Sequence, residues 1–179
     1  MLIRWSIILL ILISTQGLYA NSMSKKQFIA RAFHLEKTAE QTGSQPEIKT
    51  LWLDDKLQKK ISKILDHRYP KLRLRYWVSS DSNKQSVWFL DEVGKELPIS
   101  FGISIIDHQV SQINVLKFRE SRGGEIRMQS FSEQFKDVGL SKDTFLNKTI
   151  DGISGATMSV SAMKKITRLA LLLHREISQ

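Results

Sequence analysis

The chain has 179 residues, 41% hydrophobic and 25% charged, enough for one domain with its own core and too apolar for a disordered polymer. Its formal net charge is +9, and it holds no cysteine. That excludes disulfides, lipoprotein anchoring, zinc ribbons, iron–sulfur clusters and thiol catalysis. Any redox chemistry must come from a bound organic cofactor or from His and carboxylate metal ligands.

The first residues read as an export signal. One early cation, Arg4, precedes an apolar run from Ile7 to Ile13 and the small-residue end "GLYA", so residues 1–20 fit a leader cleaved after Ala20. The apolar run is short for a membrane span of about 20 residues, although Leu2 to Leu18 could serve as an uncleaved anchor. Phe28, Ala32, Leu35 and Ala39 then recur at helical spacing from about Ser24, and "TGSQP" (Thr42 to Pro46) ends that helix. A second helix is expected from near Thr50, with Leu53, Leu57, Ile61 and Ile64 as its apolar stripe.

Beyond Pro70 the period changes from helical to alternating. "RLRYWV" (Arg73 to Val78) and "SVWFL" (Ser86 to Leu90) read as strands joined through the polar turn "SSDSNKQ". "LPISFGISIID" places Ile99, Phe101, Ile103 and Ile105 on one face, and "VSQINVLKF" returns after "DHQ" as its antiparallel partner. "RESRGGE", Arg119 to Glu125, is a glycine-containing loop, and "MQSFSEQFKDV" is a short helix or turn packing Phe131 and Phe135. The last helix carries Val160, Met163, Ile166, Ala170 and Leu173 on one stripe. Two helices, an antiparallel meander and a long C-terminal helix make an α+β fold. The expected divisions are residues 1–20 as leader, 21–72 as a basic helical region and 73–179 as the main domain.

The charge is concentrated. Lys56 to Arg75 holds eight Lys or Arg and one Asp. Such a run is ordinarily a solvated face, with edge-strand cations opposing aggregation. The sharper reading is a docking patch for an acidic redox partner or for anionic lipid head groups. Nucleic acid is not expected, because no nucleic-acid motif is present. His34, His67, His108 and His174 are scattered with no ligand spacing, so no metal site is expected. "GISGA" falls one residue short of a nucleophile elbow and has no His partner in sequence, so no catalytic residue is assigned.

The segment that stands out is "DGISGATMS", Asp151 to Ser159, at the head of the last helix. As a plain cap, Ser154 would be the N-cap, Gly155 the first helical residue and Thr157 the third, with Asp151 at the positive end of the dipole. That leaves Gly155, Ala156 and Thr157 poorly explained, since Gly in a first turn is unfavourable. Two small residues before a hydroxyl instead leave backbone N–H groups open to an anion. A phosphate ester on Thr157 would sit against them.

The same residues resemble the flavinylation motif of the FMN-binding domain family. Its pattern is Asp, two variable residues, Ser or Thr, Gly-Ala-Thr, then another Ser or Thr. Asp151, Ser154, Gly155, Ala156, Thr157 and Ser159 match it. The stretch from about Val87 to Leu173 is similar to the family's meander and helix, including a Glu–Ser/Thr–x–Gly loop matched by Glu120, Ser121, Arg122 and Gly123, with Gly124 following. Arg122 stands where the family pattern usually has Pro.

The resemblance implies FMN held by a phosphoester on Thr157, made from FAD by a separate flavin transferase. It also implies cofactor contacts from Asp151, Ser154, Gly155, Ala156, Ser159 and the 120–124 loop; Arg119 or Arg122 near the ring would stabilise reduced flavin. The expected role is an exported, periplasmic electron carrier or redox subunit rather than a stand-alone enzyme. Its partners would be a membrane redox complex or a periplasmic electron protein. The alternative is a non-catalytic accessory or assembly module that docks through the basic segment.

Overall fold

The computed structural model describes residues 23–35, 45–79 and 82–178. The leader at residues 1–20, Ala39 and residues 42–44 of the "TGSQP" break lie outside the described residues.

The first helix, α1 (Lys25–Ala32), starts as the sequence implies. Ser24 is its N-cap, and Ser24 and Gln27 form a reciprocal capping box. The next segment differs from the expectation. Residues Glu47–Trp52 form a strand, β1, and the second helix, α2 (Asp55–Leu65), begins only after Asp54, whose carboxylate accepts from the Leu57 N–H at 2.7 Å. Thr50 therefore lies in a strand, and Leu53 precedes the helix it was expected to join. β1 is an edge strand whose Ile48 and Trp52 face outward, so no buried alternation marks it. Its residues run directly into the i, i+4 pattern of α2, which hides the boundary.

The remaining strands are β2 (Arg73–Ser79), β3 (Ser82–Val93), β4 (Pro98–Ile106) and β5 (Gln109–Lys117), paired antiparallel in the order β1-β2-β3-β4-β5. β3 begins inside the predicted polar turn and runs past Leu90 to Val93. The β4–β5 hairpin closes over Asp107 and His108, both at positive φ (47° and 64°), as a two-residue turn matched to strand twist requires. After β5 come a 3₁₀ turn (Gly124–Arg127), a short helix α3 (Gln129–Ser132) that buries Phe131, and a second 3₁₀ turn (Glu133–Phe135). The last element is α4 (Thr157–Ile177).

Two layers of helix sandwich the sheet. On one face α2 and α4 pack over Leu74, Tyr76, Trp88, Leu90, Ile103 and Ile105 in the main core. All five predicted stripe residues of α4 are buried there. On the other face α1 lays Phe28 against Val87, Phe89 and Leu116, with the Phe28 ring resting on Gly102. α4 also closes the end of α2, where the Lys165 ammonium donates to the Leu65 carbonyl at 2.8 Å and pairs with Asp66 at 2.9 Å. A cation there meets the negative end of the helix dipole. That pairing holds the Asp66 carboxyl below the usual carboxylate range.

A buried polar chain ties α4 to β3. The Trp88 indole N–H donates to Ser86 Oγ (2.8 Å), and Ser86 Oγ lies 2.7 Å from His174 Nδ1. Ser86 Oγ accepts from Trp88, and its hydroxyl hydrogen is available to donate to the unprotonated Nδ1 of a neutral His174. Burial, and the His108 ring 5.0 Å away, lower the His174 pKa to about 4. Between pH 4 and about 6.5 the unfolded chain then binds more protons than the folded one. This contribution to stability is complete above about pH 6.5 and is lost as the pH falls toward 4. His67, raised by the Arg68 carbonyl and by Glu92, works in the opposite sense. We therefore expect wild type to lose more stability than His174→Leu between pH 7 and pH 4.5, by on the order of 2 kcal/mol in urea titrations. Parallel pH dependence in the two proteins would refute a neutral buried His174.

Candidate functional site

Two segments distant in sequence meet at the head of α4. The loop after β5 carries Gly123 at φ +83°, and a Cβ built there would lie 2.5 Å from Ser159 Oγ and 3.6 Å from the Ala156 Cα. Only the missing side chain lets this loop lie against the first turn of α4, and only glycine takes that φ without strain. Ser159 and Ala156 are buried beneath it. Gly123, Ala156 and Ser159 thus form one contact.

The other loop residues are arranged around that contact. Glu120 Oε1 accepts from the backbone N–H groups of Lys95 (2.6 Å), Glu96 (2.7 Å) and Leu97 (3.0 Å). The Leu97, Glu96 and Lys95 amides hold its carboxyl below the usual range. Glu120 is therefore engaged with the β3–β4 turn. Arg119 reaches the same place, donating to the Pro98 carbonyl at 2.6 Å. Arg127 lies over the Phe118 ring and donates to the Gly124 carbonyl at 3.2 Å, which closes the far side of the loop. Ser121 and Arg122 are exposed.

The motif itself departs from the expected cap. Ser154 is not the N-cap: Ile153 to Ala156 form a turn in which the Ala156 N–H donates to the Ile153 carbonyl at 3.0 Å. Gly155 sits in it at φ +79°, with nothing within 4 Å of a Cβ position, so its requirement is conformational rather than steric. The N-cap is Ala156, which has no side chain to offer, and Thr157 is the first helical residue. The physical reason is that the left-handed Gly155 cannot open a right-handed helix, so the helix starts two residues later than a Ser154 cap would place it.

The consequence is an open helix end. The first helical hydrogen bond runs from the Val160 N–H to the Ala156 carbonyl at 2.9 Å, and no side chain caps the amides ahead of it. Thr157 and Met158 are exposed, Met158 by 54%, and no Cβ contact closes off the space above Gly152 or Gly155. The stretch leading into the helix is pinned on both sides. Gln134 Oε1 accepts the Asp151 N–H at 2.9 Å, and Lys164 donates to the Ile150 carbonyl at 2.7 Å. Neither Gln134 nor Lys164 was singled out in the sequence, because each acts across a long separation on a backbone group.

The donor set suits a phosphate monoanion or dianion: open amides, the positive end of a 21-residue helix dipole and a reachable hydroxyl. Among the described residues, no His or carboxylate is hydrogen-bonded to the Thr157 hydroxyl. Residues 94–172 match the family model of the FMN-binding domain. No curated protein matches the chain.

The Gly123 contact predicts a specific coupling. Gly123→Ala should destabilise by at least about 2 kcal/mol, from left-handed strain plus overlap with Ser159. In a Ser159→Ala background, which removes the 2.5 Å overlap, the same substitution should cost measurably less. Equal costs in both backgrounds, measured by urea denaturation, would show that the loop does not bear on α4.

Proposed function

We propose that the chain carries FMN as a phosphoester on Thr157 Oγ1 and works as an exported electron carrier or redox subunit, a reading supported by the match of residues 94–172 to the family model of the FMN-binding domain. The observation that carries this reading is the exposed Thr157 hydroxyl at the first position of a helix whose leading amides are uncapped. The contrast within the molecule supports it. α1 is capped by Ser24 and α2 by Asp54, while α4, the longest helix among the described residues, offers Ala156 in that place.

Thr157 places an ester phosphate in the first turn, where the Met158 and Ser159 N–H groups and the dipole neutralise its charge. Gly155 and Ala156 keep the approach free of side chains. Gly123 and Ser159 hold the 120–124 loop against that turn, and Glu120, through three amides, fixes the β3–β4 turn beside it. FMN supplies one- and two-electron redox chemistry when bound.

The attachment needs help from outside the chain. Thr157 Oγ1 forms a bond to the flavin-side phosphorus of FAD, the pyrophosphate bond breaks, and AMP leaves. The hydroxyl proton goes to a base of the flavin transferase, since none is hydrogen-bonded to it here. A covalent tether also suits the leader-like N-terminus, because a dissociated flavin would be lost by dilution outside the cytoplasm.

Coexpression with a flavin transferase should add the mass of FMN less water to the intact chain. Thr157→Ser should retain the adduct, Thr157→Ala should lose it, and Ser154→Ala should retain it because Ser154 is not the cap. An adduct that persists in Thr157→Ala, or none in wild type, would overturn the assignment.

A further inference from the structure

The β1–β2 edge carries a surface that the flavin site does not use. In the cross-strand pairs Ile48↔Trp77, Thr50↔Arg75 and Trp52↔Arg73, the six side chains share one face of the sheet. Ile48 is 62% exposed and Trp52 66%, and the Arg73 guanidinium lies 5.5 Å from the Trp52 ring centre. Leu72, next in the chain, is 65% exposed. On the α2 side of the same edge it lines a groove of about 480 Å³ with Asp55, Lys59, Lys63 and Arg68. Among the described residues, none of Lys59, Lys63, Arg68, Arg73 and Arg75 has a carboxylate partner within 4 Å.

A merely solvated charge run would not interleave its cations with an exposed Trp, Ile and Leu. Cations with amphipathic aromatics are the chemistry of a membrane interface, where the ring sits at head-group depth and the guanidinium meets phosphate. The course of the chain selects the same occupant. The described part begins at Met23, which, like Trp77 and Phe89, packs against the cluster of Phe28, Ala32, Val87 and Leu116 on this same sheet face. Ile13, the end of the apolar run, lies ten residues earlier and so within about 35 Å of Met23.

We propose that this face, with Ile48, Trp52, Arg73 and Arg75, rests on an anionic lipid surface next to the apolar N-terminal segment. The flavin site plays no part in it. Because the natural chain has no cysteine, one introduced thiol reports on one place. The full chain with Trp52→Cys, labelled with an environment-sensitive fluorophore, would be reconstituted in vesicles of phosphatidylcholine with or without phosphatidylglycerol.

The label should brighten several-fold and shift to the blue only with phosphatidylglycerol, and high salt or Arg73→Glu with Arg75→Glu should abolish the change. A label at Phe145→Cys, exposed but outside the proposed face, should not respond. An unchanged Trp52→Cys label with phosphatidylglycerol, or an equal response without it, would overturn the proposal. So would a response to polyglutamate alone, which points to an acidic protein, or to rising protein concentration without lipid, which points to a second copy.

Discussion

The contact on which the site depends is the approach of Gly123 to the first turn of α4. It joins a loop fixed by β5 to a helix fixed by the main core, so each locates the other. α4 is held along its length by buried Val160, Met163, Ile166, Leu169 and Leu173. At its far end it is held by the Ser86–His174 hydrogen bond. Its first turn can therefore remain open without the helix fraying, because packing rather than capping supplies its stability.

Polar groups around the site are divided by task. Glu120, Arg119, Gln134 and Lys164 are all committed to backbone groups and shape the loops on either side of α4. The leading amides of α4 and the Thr157 hydroxyl are left uncommitted. The starts of α1 and α2 are satisfied by side chains, whereas that of α4 is not.

Much of this was legible in the sequence where the signal is local. The alternation of β4, the stripe of α4 and the spacing from Asp151 to Ser159 each depend on residues close together, and each reads directly. β1 was missed because Ile48 and Trp52 face outward and, among the described residues, its hydrogen-bonded partner begins at Arg73. The Ser154 cap was a reasonable local inference that failed on backbone geometry, since a left-handed Gly155 moves the helix start to Thr157. The nearness of Gly123 to Ser159, and of His108 to His174, follows only from the folded arrangement.

The most direct measurement is the phosphorus NMR spectrum of the flavin-loaded full chain, unfolded in urea and titrated between pH 5 and 8. A phosphodiester on Thr157 has no proton to gain in that range, so its resonance should stay fixed and remain with the protein after dialysis. A resonance that titrates near pH 6, as a phosphate monoester does, and that dialyses away would contradict a covalent tether.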